Sequence, residues 1–376
     1  MKKALLLCMI LLSCFGVLFA QGSEESTEVV VDEGLKIALI SSPSGVDDGS
    51  FNQNVYEGAV KFCAENPTAS VTPVREEVEA NAVPAVEEVV ADYDVLICSG
   101  FQFAGISLIA EENPDKQFIL VDSFPSDPDD FSSTIAVDNI YAMQFGEQES
   151  GFLAGLAAAQ ETKTGKVAVV NGVAYPSNVN YQFGFESGVN YSNAKYGTNV
   201  VAVELPSYSG TDVTGTVVDG NYIGDFADQA RGKVVGESLI AEGCDIIFVA
   251  AGGAGLGVFT AAKETDNVMV IGCDADQFSF GEAGNRNIVL TTVLKVMDIN
   301  VYRQLNAVKD GTFVGGNFTL YANTDSTGYL KKEGRHQLSD ATMAKLDESF
   351  ELIKDGTIVP AANFNGHASD NFPGLN

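Results

Sequence analysis

The sequence predicts an α/β protein built as two successive lobes with a ligand cleft between them. Three observations predict it. Short runs rich in Val, Ile and Phe alternate with segments of helical spacing, the pattern of parallel strands joined by crossover helices. The alternation occurs once before about Val137 and once after it, in a chain of 376 residues, long enough for two buried cores. Polar and glycine residues gather just past the apolar runs, where open α/β sheets bind ligands.

The elements follow in order. Lys2 and Lys3 precede an apolar run over 4–20, and Gln21-Gly22-Ser23-Glu24-Glu25 follows at once. That is a secretory signal peptide, too short for a membrane span. Two processing sites compete. Leu18-Phe19-Ala20 offers a small residue at the cut; Leu11-Leu12-Ser13-Cys14 resembles a lipoprotein box whose Cys14 would carry lipid. The box leaves the greasy stretch 15–19 at the start of the mature chain, so the reading leans to cleavage after Ala20. Either site exports the protein to the periplasm or the outer face of the cytoplasmic membrane. Residues 21–34 are polar and acidic and read as a flexible tether.

An apolar run over 35–40 reads as a buried strand. Asp47-Asp48-Gly49-Ser50-Phe51-Asn52-Gln53 follows, and helical spacing over 54–61 then places Val55, Ala59 and Phe62 on one side. A capped helix start explains one Asp, but not two acids with Phe51 and Asn52 in one strand-to-helix loop. Further strands are expected over 94–98, 118–122, 166–170, 245–250, 268–272 and 288–294, with helices such as 145–160 and 227–242. Their ends supply Ser99-Gly100-Phe101, Asp122, the glycine-rich stretch 251–255, Asp274-Ala275-Asp276-Gln277 and Lys295. A helix over 296–308 ends at Asp310-Gly311, and 313–321 reads as a strand or hairpin. Residues 339–354 form a last amphipathic helix, with Met343, Leu346, Phe350 and Ile353 on one face and Gly356 as its stop. The first lobe is expected to hold 35–138 plus about 295–312, and the second 139–294 plus about 313–376. Hinges are expected near Val137, Lys295 and Phe313.

Composition excludes several functions. The formal charge is −30; removing residues 1–20 removes two Lys and no acid, giving −32. Nucleic acid and anionic membrane surfaces need clustered Lys and Arg and are not expected partners. Cys8 and Cys14 lie in the leader. Cys63, Cys98, Cys244 and Cys273 show no C-x-x-C spacing, so no zinc site is expected; Cys98 and Cys273 read as small buried hydrophobes. Disulfide pairing stays open. The two histidines, His336 and His367, give a Ser-His-Asp triad little support. The stretch 252–257 places Val258 where G-x-G-x-x-G needs glycine, and it lacks the Lys of a P-loop, so a tight turn allowing close backbone approach is the better reading. Asp274 and Asp276 could form a carboxylate pair, though no third acid or His stands beside them. Lys295 is either a solvated lysine or a donor to ligand hydroxyls.

Several of these motifs recur in a fixed order: 47–53 with Tyr56-Glu57-Gly58, then Gly151-Phe152-Leu153-Ala154-Gly155, then 252–259, 272–277 and Thr292-Val293-Leu294-Lys295. The series, spanning about 35–360, resembles the basic-membrane-protein family of exported purine-nucleoside-binding proteins. Cys273 departs from it, since the family commonly has Val there. The resemblance implies a type I periplasmic-binding-protein-like fold, two Rossmann-like lobes closing on a nucleoside, and delivery to the permease of an ABC importer. It implies a monomeric binding protein without cofactor or metal, not an enzyme. It places Tyr56 at the first stacking position, with Phe259 or Phe226 as the second ring. Asp47, Asn52 and Asp122 would meet the base edge, and Asp274 and Lys295 the ribose hydroxyls. Asp48, Phe51 and Gly253 complete the expected binding set. Three alternatives stand: a receptor for a sugar or other small solute on the same fold, an exported nucleoside hydrolase using Asp274 and Asp276, and a surface-displayed sensor or adhesin.

Overall fold

A computed structural model describes residues 34–127, 133–371 and 375; the expected signal peptide, both candidate processing sites and the expected tether up to residue 33 lie outside them. The first half runs β1 (Lys36–Ser41), α1 (Phe51–Glu65), β2 (Ser70–Arg75), α2 (Ala82–Val89), β3 (Val95–Ser99), α3 (Ser107–Glu112), β4 (Gln117–Val121) and β5 (Ile140–Phe145). Then come α4 (Glu147–Glu161), β6 (Lys166–Asn171), α5 (Pro176–Tyr196), β7 (Val201–Ala202), β8 (Gly210–Thr211), β9 (Val217–Val218), α6 (Gln229–Ala241), β10 (Ile246–Ala250), α7 (Gly255–Lys263) and β11 (Met269–Gly272). The chain closes with β12 (Glu282–Ala283), β13 (Arg286–Asn287), β14 (Val289–Lys295), α8 (Met297–Lys309), β15 (Gly316–Leu320), β16 (Thr327–Tyr329) and α9 (Asp340–Lys354).

Among the described residues twelve of these strands form two six-stranded sheets, ordered β15-β5-β4-β3-β1-β2 and β16-β14-β11-β10-β6-β7, while β8 pairs with β9 and β12 with β13 in two small antiparallel ribbons. The first is parallel throughout. The second is parallel except where β16 pairs antiparallel with β14. Helices cover both faces, so the inner strands β1, β3, β4, β6 and β10 are buried apolar runs. Sequence patterning finds those and misses β2, whose Pro73 sits opposite Leu39 on the sheet edge, a place where a missing N–H is tolerated. It also misses α5, where polar and apolar residues are mixed without a clear stripe and Asn178, Asn180, Gln182 and Ser187 are buried beside Tyr181, Phe185 and Val189.

The lobe boundaries differ from the expected ones. Both β5 and β15 belong to the first sheet. The chain therefore crosses between sheets at Gly146, not near residue 138, and again after Leu320, not at 313. The chain also crosses at Val296, between β14 of the second sheet and α8. In β5, Ile-Tyr-Ala-Met-Gln-Phe, Ile140, Ala142, Met143 and Phe145 are buried while Tyr141 and Gln144 are half-buried, so its apolar run is short and broken by Gln144.

Two of the glycine motifs serve packing. In α4 and α5, Gly151 and Gly155 face the backbone of Tyr181 and Phe185, while Gly184 and Gly188 face that of Gln148 and Phe152. A Cβ on Gly155 would lie 2.0 Å from the Phe185 carbonyl oxygen. Gly257 does the same for α7 on α6, where a Cβ would lie 1.9 Å from the Gln229 carbonyl oxygen.

Candidate functional site

The carboxyl ends of both sheets open onto one cleft of about 590 Å³, including space continuous with solvent. The loop after β1 contributes Ser42, Ser44 and Asp48, and the first turn of α1 contributes Phe51 and Asn52. Ser99 ends β3 and Gly100 to Gln102 follow it; Asp122 follows β4. From the second lobe come Tyr175, Ser177, Asn178, Tyr181, Phe226, Ala250, Gly252, Cys273, Asp274 and Lys295.

Helix α1 starts at Phe51, three residues before the expected start, and its first turn is built around Asp48. The Asp48 carboxylate accepts the N–H groups of Ser50, Asn52 and Gln53 at 2.9, 3.0 and 3.1 Å, and the Asn52 side-chain amide at 2.9 Å. Burial pushes its carboxyl up, and these donors pull it back. The acid therefore does the capping work foreseen for one of the pair. Asn52 Nδ2 also donates to Ser42 Oγ at 2.9 Å. Its Oδ1 and the Oγ of Ser99 are buried without a hydrogen-bond partner. Buried polar atoms almost always have one, so both read as ligand-facing groups. Asp47 is exposed and does not line the cleft.

At the base of the cleft lies Lys295, 2% exposed. Its ammonium pairs with Asp122 of the first lobe, and with Glu147 at 3.1 Å. Burial alone would lower the lysine, but Asp122, Glu147 and Asp274 outweigh it and hold it above its usual value. Glu147, the first residue of α4, is pushed up to about 7 by burial, against the pull of Lys295. Asp122 and Asp274 end strands of different sheets and share a left-handed backbone, with φ of 72° and 70°, uncommon for residues other than glycine. Asp274 accepts from Ser50 Oγ at 2.8 Å, Tyr181 Oη at 3.1 Å and Cys273 Sγ at 3.3 Å.

The structure brings together Asp48, Phe51, Asn52, Asp122, Asp274 and Lys295, and separates them from Tyr56, Phe259 and Asp47. Tyr56 is half-buried and packs on the core beneath α1. Phe259 is 2% exposed inside the core of the second lobe. The earlier start of α1 explains the first case: five residues at 3.6 per turn carry Tyr56 about 140° around the helix from Phe51. Gly253 stands beside the cleft without lining it; a Cβ there would lie 3.8 Å from the Cβ atoms of Ser44 and Asp48. Phe226 does line the cleft. With Phe101 and Tyr175 it forms a string of rings, 5.0 Å between the first two centroids and 5.8 Å between the last two. Sequence reasoning named Phe101 only as a strand end and missed Tyr175, Tyr181 and Glu147. The available signal for Glu147 was an acidic first turn, Glu147 and Glu149, ahead of the apolar stretch 152–159 of α4.

The carboxylate pair is split. Asp276 accepts from the Phe278 N–H at 3.0 Å and from Arg335 Nε at 2.6 Å, away from the cleft. Among the described residues no group of three His, Cys, Asp or Glu could hold a metal ion, and no helix is long and apolar enough to cross a membrane.

Comparison with known proteins agrees with this geometry. The Bmp family, described as ABC transporter substrate-binding protein PnrA-like, matches residues 35–208 and 214–361. A "CD4+ T-cell-stimulating antigen" of Listeria innocua is 30% identical, over 95% of this chain and 98% of its own. The "ABC transporter nucleoside-binding protein BmpA" of Lactococcus lactis is 29% identical, over 85% of this chain and 88% of its own. A solved ABC transporter solute-binding protein from Aeropyrum pernix superposes with a TM-score of 0.72 at 21% identity, covering 88% and 94% of the two chains. That likeness shows the type I periplasmic-binding-protein-like fold. The chain belongs to the Bmp family of PnrA-like ABC transporter substrate-binding proteins.

Proposed function

We propose that this substrate-binding protein captures a purine nucleoside in the cleft and delivers it, as an exported monomer, to the permease of an ABC importer. One observation carries the reading: a single cleft joins aromatic rings to a buried carboxylate and ammonium. Phe51, Phe101, Tyr175 and Phe226 supply apolar faces for a flat base. The unpartnered Asn52 Oδ1 and Ser99 Oγ suit a base edge. Asp274 can accept from a ribose hydroxyl and Lys295 can donate to one. A neutral nucleoside meets no repulsion from a cleft lined by Asp48, Glu79, Asp122 and Asp274 against Lys295. The name of the Lactococcus lactis relative points to the same ligand class.

The protein binds its ligand without altering it. The separation of Asp274 from Asp276 supports this, because the hydrolase alternative needs that pair together. A thermal-shift panel of purine nucleosides against glucose and galactose tests the reading. A ligand at 100 times its Kd stabilises by about 2.7 kcal/mol, so a purine nucleoside should raise Tm where the sugars do not. Free base appearing on incubation would show hydrolysis instead.

A further inference from the structure

The geometry points to Glu147 as the positioning residue that holds the Lys295 ammonium toward the ligand's hydroxyl groups. The inference rests on the nucleoside reading above and adds a residue that does not line the cleft. Glu147 is 2% exposed and heads α4, directly after the first crossover at Gly146. Lys295 is the last residue of β14, directly before the second crossover at Val296. The 3.1 Å pair therefore ties two of the crossing segments together. Its other oxygen accepts from Asn180 Nδ2 of α5 at 3.2 Å, which fixes the carboxylate against the second lobe.

Asp122, the lysine's other partner, belongs to the first lobe and moves with it. Without Glu147 the ammonium has Asp122 as its one paired carboxylate. An ammonium on a flexible four-carbon stem needs such a second anchor to keep one position. Glu147 thus acts on the ligand through Lys295, and only on the part that Lys295 reaches.

The test compares inosine with 2′,3′-dideoxyinosine, which keeps the base and lacks the hydroxyls. Titration calorimetry on the full mature chain should show that Glu147→Gln weakens inosine by about tenfold or more, the scale of a charged hydrogen bond, and leaves the dideoxy analogue within about twofold. Lys295→Met should remove the same contrast, and adding Glu147→Gln to it should change little, as expected of residues acting as one unit. If Glu147→Gln fails to fold, Asn180→Ala, which frees the carboxylate, should show the same selective loss. Equal losses for both ligands, or no loss, would overturn the inference while leaving the nucleoside reading standing. A wild-type protein that binds neither nucleoside would overturn both.

Discussion

Ser50 Oγ, in the loop after β1, donates a 2.8 Å hydrogen bond to Oδ2 of Asp274, just past β11 in the other sheet. Two further bonds cross the same seam, from Gln277 Nε2 to the Gly49 carbonyl at 2.8 Å and from Ser44 Oγ to the Phe226 carbonyl at 2.9 Å. The loop that caps α1 is therefore also the latch between lobes.

Ser50→Ala should loosen that latch without unfolding either lobe. One lost hydrogen bond to a charged group is worth roughly 1.5–3 kcal/mol at most. We expect weaker ligand binding and a larger radius of gyration by solution scattering in the absence of ligand. An unchanged radius with unchanged affinity would show that the bond does not govern closure.

Two aromatic substitutions should behave in opposite ways. Phe226→Ala should cost about 1–3 kcal/mol of nucleoside affinity, the scale of base stacking, with little change in the Tm of the empty protein. Tyr56→Ala should lower that Tm and spare affinity, because its ring packs under α1. Finding the reverse pattern would return Tyr56 to the site.

Gly155→Ala should destabilise the second lobe by about 1–3 kcal/mol or more, the usual cost of overpacking, since the added carbon meets the Phe185 backbone. Denaturant unfolding measures it; a neutral result would mean that α4 and α5 can separate freely.

Stability should also depend on Glu149. Burial pushes it from 4.5 up to about 7, against hydrogen bonds from the Ala322 N–H at 2.7 Å and Thr327 Oγ1 at 2.6 Å. Between those values the folded protein binds the proton that the unfolded chain releases. Folding stability from this group is therefore present at low pH and lost as pH rises from about 4.5 through about 7. Glu149→Gln should flatten the fall by an amount on the order of 1–3 kcal/mol, seen as Tm against pH. Parallel curves for the two proteins would contradict it.

Much of this arrangement is written plainly in the sequence. Buried parallel strands must be apolar on both faces, so β1, β3, β4, β6, β10, β11 and β14 stand out, and the polar residues at their ends mark the cleft. Asp122, Asp274 and Lys295 are legible for that reason. Of the ring string, Phe226 is a candidate from the sequence, but Phe101 and Tyr175 are not, because they sit at element ends where no periodicity fixes direction. Tyr56 misleads because α1 begins at Phe51, three residues before the expected start, which carries Tyr56 about 140° around the helix from Phe51. Glu147 is hidden because its partner lies far along the chain, and only folding brings the two together.

Titration calorimetry of the protein with purine nucleosides tests the ligand class. Saturable one-to-one binding of at least one of inosine, guanosine and adenosine is expected, and no binding of glucose or galactose. Binding of a sugar with no heat from any purine nucleoside would contradict it.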